Sequence, residues 1–156
     1  MVRYLAAVVL VFACMGSAQA QVTLRETVTY YKVDALTLPE LRKQMGERGP
    51  RGYWGYARWN VSSTAECEVT VRVSYTLPKH ENLSGLSPTD RAKWEAMIEA
   101  LEMHERNHGT HGVNAATEIK AAGCSGGWRI IRKWAKQDRV YDRQTQHGRT
   151  EGVVLD

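Results

Sequence analysis

The chain has 156 residues, a formal net charge of +4 and 43% hydrophobic residues, enough for one domain with a real core and short for two. Its 21 basic and 17 acidic residues are interspersed, with no block of one sign, no low-complexity tract and no internal repeat. That balance favours solubility and argues against a nucleic-acid partner.

Residues 1–20 carry Arg3, an apolar run over residues 5–14 and small side chains at Ala18 and Ala20, the three parts of a secretory signal cleaved after Ala20. The run is shorter than the ~20 apolar residues of a membrane span, so no stable span is expected once the signal is removed. Lipidation at Cys14 is the weaker reading, because Phe12 suits a lipidation box poorly and the signal would be unusually short. The mature protein is then residues 21–156, one domain, periplasmic or secreted. It keeps only Cys67 and Cys124, and in an oxidising compartment two cysteines have one possible pairing. A bridge between them closes a long loop and adds roughly 3 to 5 kcal/mol if unstrained.

Along the mature chain, "VTLRETVTYYKV" at residues 22–33 alternates and is rich in Val, Thr and Tyr, which reads as a strand. Thr37 is a plausible N-cap for a short amphipathic helix over residues 39–45 that stops within residues 46–50. Residues 53–63 and 67–78 read as two more strands, and the short turn between them predicts an antiparallel hairpin. In the second, Cys67, Val69, Val71, Val73 and Tyr75 share one face. "KHENLSGL" follows as a surface connection that carries His80. "SPTD" then opens a helix, with Ser87 as cap, Pro88 in the first turn and Asp90 complementing the dipole. It is predicted to run to about residue 122, and its stripe of Trp94, Met97, Ile98 and Leu101 extends onto His104, His108, Ala115 and Ile119. A last helix over residues 127–146 places Ile131, Trp134, Asp138, Tyr141 and Thr145 on one stripe. Asp138 is the odd member, since a buried acid needs a partner. The fold class is α+β: an antiparallel sheet of about three or more strands packed on one long helix and a C-terminal helix.

His104, Glu105 and His108 spell H-E-x-x-H. Residues four apart on a helix stand one above the other, so both imidazoles can reach a single zinc ion with the glutamate beside a water on it. Zinc lowers the pKa of that water, and the glutamate takes its proton during attack on a carbonyl. Two satisfied core histidines are the bland alternative.

The third ligand is open between two residues. His111 lies about 10 Å along a straight helix from His104, near the limit of a shared ion, unless Gly109 and Gly112 break the helix. His147, at the end of the last helix, comes from a separate element, the usual way to build an open tetrahedral site. Geometry favours His147.

Taken in order, "YYKVDALTLPELRKQMGERGP", "YWGYARWNVS", "CEVTVRVSYTLP", "MIEALEMHERNH" and "YDRQTQHG" resemble a bacterial family, domain of unknown function 922, whose members are regarded as secreted zinc-dependent proteases on the strength of the motif. The resemblance spans nearly the whole mature chain and implies a small zincin-like domain. Its closing motif matches Tyr141, Asp142, Thr145, His147 and Gly148, which strengthens His147 as the third ligand.

The expected function is therefore a zinc metallopeptidase acting on a peptide or protein substrate, with His104, His108 and His147 on the metal and Glu105 as general base. Tyr141 either donates a hydrogen bond to the oxyanion or packs in the core. Asp138 and Asp142 either hold a ligand imidazole or pair with nearby arginines. The rival is a non-catalytic envelope binding or structural module, whose closed zinc site would take His111 as a fourth ligand.

Overall fold

The computed structural model describes residues 21–156; the expected signal segment lies outside the described residues. Three strands, β1 (Thr23–Val33), β2 (Tyr56–Ser63) and β3 (Val69–His80), and three helices, α1 (Leu38–Arg48), α2 (Pro88–Ala121) and α3 (Gly127–Thr145), follow one another as β1-α1-β2-β3-α2-α3. The class is α+β, as expected.

The sheet order is β1-β3-β2. β2 and β3 form the predicted antiparallel hairpin, with Ser63 opposite Val69 and Tyr56 opposite Thr76. β1, however, pairs with β3 in parallel from Thr23 opposite Thr70 to Val33 opposite His80, so the sheet is mixed and not antiparallel throughout. The reason is connectivity. The chain leaves the end of β1 through α1, returns as β2 in the opposite direction, and turns again into β3, which takes the place between them. Alternation within a strand reports which face is buried and carries no information about its neighbour.

β3 is central, and its inward residues Val69, Val71, Val73, Tyr75 and Leu77 are each no more than 4% exposed. They meet α2 through Ala116 and Ile119, while Leu77, Met97 and Leu101 join α1 in a second cluster. The predicted stripe of α2 is buried at Trp94, Met97, Leu101, His104, His108, Ala115 and Ile119. At its start, the Ser87 hydroxyl accepts from the Asp90 backbone N–H at 3.1 Å.

Gly109 and Gly112 do not interrupt α2, which is helical over all 34 residues. They lie instead where the helix crosses the sheet. A Cβ on Gly109 would fall 2.1 Å from the Tyr75 hydroxyl, and one on Gly112 would fall 2.6 Å from the Trp59 Cβ. The same close crossing buries the histidine turn.

Cys67 and Cys124 are joined in a disulfide across 57 positions, tying the turn before β3 to the end of α2. A loop of that length corresponds to about 4 kcal/mol in the chain-entropy account. His80, expected on the surface, is 7% exposed. β3 runs two residues beyond its predicted end and delivers this ring into the interior. There its Nδ1 accepts from the Asn82 backbone N–H at 3.0 Å and its Nε2 donates to the Ala35 carbonyl at 2.9 Å. It also stands edge-on to Trp94. After α3 the chain turns back, and Val153 and Leu155, 8% and 1% exposed, complete the core beside α1. Among the described residues no helix is long and apolar enough to cross a membrane.

Gly112→Ala tests the close crossing with a sign that helix propensity cannot supply. Propensity alone predicts a gain of about 0.8 to 1 kcal/mol, whereas crowding against Trp59 predicts a loss of roughly 1 to 3 kcal/mol. A thermal melt of the variant should show a lower Tm; a raised Tm would refute the packing described.

Candidate metal centre

His104 and His108, one turn apart on α2, are 3% and 7% exposed, with Glu105 between them at 5%. Burial of the two imidazoles needs partners, and carboxylates from α3 and the following turn provide them, while Glu105 accepts from the Ala57 backbone. His104 Nδ1 donates to Glu151 Oε2 at 2.8 Å, and His108 Nδ1 donates to Asp138 Oδ1 at 2.8 Å. Both imidazoles are thereby fixed in orientation and tautomer from behind.

With the Nδ1 protons so committed, each neutral ring would present its Nε2 lone pair to a metal. The two Nε2 atoms lie 3.2 Å apart, and Asp142 Oδ1 lies 3.1 Å from that of His108 and 3.5 Å from that of His104. Three such atoms facing one another need a proton or a metal ion among them. A tetrahedral zinc with ligands at ~2.0 to 2.1 Å has ligand–ligand edges of about 3.3 to 3.4 Å. The donor set therefore fits a metal ion in both chemistry and spacing. His104, His108 and Asp142 form one group whose donor atoms all lie within 4.8 Å of one another.

In the metal-free protein a proton takes that place. Burial opposes charge on His108, yet its hydrogen bonds with Asp138 and Asp142 hold its pKa at about 10. His104 is raised in the same way, burial being outweighed by Asp142 and Glu151. Burial also works against the Asp142 carboxylate, but His104 and His108 hold it well below the usual carboxylate range. Glu105 behaves differently. Burial pushes its carboxyl up to about 7, with His108 and His104 pulling the other way. Gly55 makes room for it, because a Cβ there would stand 2.7 Å from Glu105 Oε1.

The remaining expected residues are distributed around this centre. His147 follows α3 in a left-handed turn with φ of 54°, and its side chain is 55% exposed. Its Nδ1 reaches Asp142 Oδ1 at 3.3 Å, but it stands outside the group of converging donors. His111 Nδ1 donates to Asp138 Oδ1 at 2.7 Å, so that Asp138 joins His108 and His111 in a second cluster. Tyr141 stacks on His104 with ring centroids 5.1 Å apart, accepts from Asn107 Nδ2 and donates to Glu151, each at 2.9 Å. Its hydroxyl thus lies on the Nδ1 side of His104.

Glu151, Asn107 and Gly55 were not marked by any sequence pattern. Glu151 sits on an irregular turn between two glycines with positive φ, Gly148 and Gly152, where periodicity has nothing to report. The centre opens into a cavity of about 740 Å³ that is also lined by Tyr53, Trp54, Gly55 and Arg139.

An α+β chain with a buried His/Asp group able to hold a metal ion is the class that fold and site define. Residues 28–148 match the model of DUF922, a bacterial protein of unknown function, and the chain belongs to that family. No curated protein and no solved structure matches it.

Metal content of purified variants separates the candidates for the third donor. His104→Ala, His108→Ala and Asp142→Ala should each lower bound metal by at least about tenfold at limiting metal, and His147→Ala by much less. Loss in His147→Ala with full retention in Asp142→Ala would restore His147 to the metal.

Proposed function

We propose that the protein is a zinc-dependent hydrolase, a metallopeptidase, working outside the cytoplasm. The observation that carries the reading is a carboxyl group, Glu105, buried beside two imidazole Nε2 atoms and Asp142 Oδ1 whose separations of 3.1 to 3.5 Å suit one tetrahedral ion, all at the wall of an open cavity. The Cys67–Cys124 disulfide supports an oxidising compartment and agrees with the N-terminal signal read from the sequence.

His104, His108 and Asp142 hold the metal in this account, with His147 steadying Asp142 from the solvent side. Zinc there supplies a Lewis acid and a water of lowered pKa. Glu105, 5% exposed beside the two Nε2 atoms, would be the group that takes a proton from an attacking water and hands it to a departing amine. Asp138 and Glu151 orient the two imidazoles through Nδ1. Tyr141, tied to Glu151, positions that carboxylate and covers His104. The α3 end and the turn before β2 flank the cavity and would receive the peptide.

A structural metal in a non-catalytic envelope module is the competing account, and the open cavity with its ionisable wall favours catalysis over it. Glu105→Gln distinguishes the two. The variant should keep stoichiometric zinc while cleavage of a dye-labelled unfolded protein falls by about 10²- to 10⁴-fold. Undiminished cleavage would remove Glu105 as base, and zinc-loaded wild type that cleaves nothing would favour the structural module.

A further inference from the structure

The mouth of the cavity has a charge that the metal chemistry does not require. Arg51, Arg139 and Arg149 all line it, and they come from three different elements: the turn before β2, the face of α3 beside Asp138, and the turn after α3. All three are exposed. Among the described residues none of them has a carboxylate within ion-pairing distance, in contrast to Arg42 on the same cavity wall, which faces Asp156.

The carboxylates of the same cavity are already in use. Asp138 and Asp142 serve the histidines, Asp156 faces Arg42, and Glu105 is buried against the metal group. Three guanidiniums on the cavity wall are therefore left without a carboxylate partner, and a divalent ion at the centre would offset the charge of Asp142 and Asp138.

Arg51 is held there at a backbone cost. Its φ is 57°, a left-handed conformation that a non-glycine residue adopts uncommonly. Its guanidinium lies over the Tyr56 ring at 5.4 Å, a stacking contact that orients the fork without neutralising it. A guanidinium left unpaired beside a reaction centre is matched in shape and charge by a carboxylate, which it binds with two parallel hydrogen bonds.

We infer that the cavity selects peptides bearing a carboxylate next to the bond at the metal group, through Arg51, Arg139 and Arg149. The position of that bond rests on the metallopeptidase reading; the binding preference does not. A carboxylate can come from an acidic side chain or from a free C-terminus, and the cavity, within the ~300 to 1,000 Å³ range of ligand sites, accepts either as part of a short peptide.

Fluorescence anisotropy with dye-labelled alanine–glycine peptides of equal length tests this. One peptide is neutral with an amidated C-terminus, one carries glutamates with the same amide, and one is neutral with a free C-terminus. Binding is measured on the full protein in chelator and again after zinc loading. At least one carboxylate peptide should bind about tenfold or more tightly than the neutral amide, and the arm that gains identifies the source of the carboxylate. Arg51→Gln, Arg139→Gln and Arg149→Gln should each remove about three- to tenfold of that preference, with unchanged melting temperatures and unchanged affinity for the neutral peptide. Equal binding of all three peptides, a preference that survives all three substitutions, or tighter binding of a single-stranded oligonucleotide would each overturn the inference. A carboxylate preference in a protein that takes up no zinc, or that cleaves nothing, would leave the inference standing and count against the metallopeptidase reading alone.

Discussion

Two imidazoles whose Nδ1–H groups are both held by carboxylates have only their Nε2 atoms left to face each other. In this protein Glu151 and Asp138 accept those hydrogen bonds, and the two Nε2 atoms stand 3.2 Å apart with Asp142 beside them. Without a proton or a metal ion among them that arrangement is repulsive, and burial removes the water that would otherwise relieve it. The need for a cation at one point explains why acids from α3 and the following turn crowd a helix whose inward stripe is otherwise apolar.

The rest of the fold keeps that point fixed. α2 crosses the sheet at Gly109 and Gly112 so closely that side chains on β3 and β2 occupy the space of a Cβ, and the disulfide secures the far end of the same helix to the turn before β3. α3 lies along α2 and supplies Asp138 and Asp142 one turn apart, in step with His108 and His104. The chain then reverses through left-handed residues Gln146, His147 and Gly148, which sets Glu151 behind His104 and sends Leu155 into the core under α1. Stability and site geometry thus depend on the same contacts, because the tail that completes the core also carries the residue that orients a ligand.

Much of this was legible in the sequence, for identifiable reasons. The H-E-x-x-H spacing, the inward stripe of α2, the Ser87 cap, the β2–β3 hairpin and the Cys67–Cys124 pair are each local, periodic or forced by count. What was hidden is non-local. The parallel pairing of β1 depends on which strand takes the central place; the burial of His80 depends on two further residues of β3 and on the Ala35 carbonyl that meets its ring. Gly109 and Gly112 invite a reading as helix breakers until the sheet beneath them is seen. Asp142 and His147 were both visible, but only the path of the chain after α3 shows that the carboxylate, and not the more exposed imidazole, stands among the converging nitrogens. Glu151 had no pattern to betray it.

The most direct test of a cation centre at the Nε2 atoms is a crystal of the zinc-loaded protein, measured on both sides of the zinc absorption edge. The account predicts a single strong anomalous peak bounded by His104 Nε2, His108 Nε2 and Asp142. A peak between His108, His111 and Asp138 instead, or no ordered metal with the two rings turned apart, would contradict it.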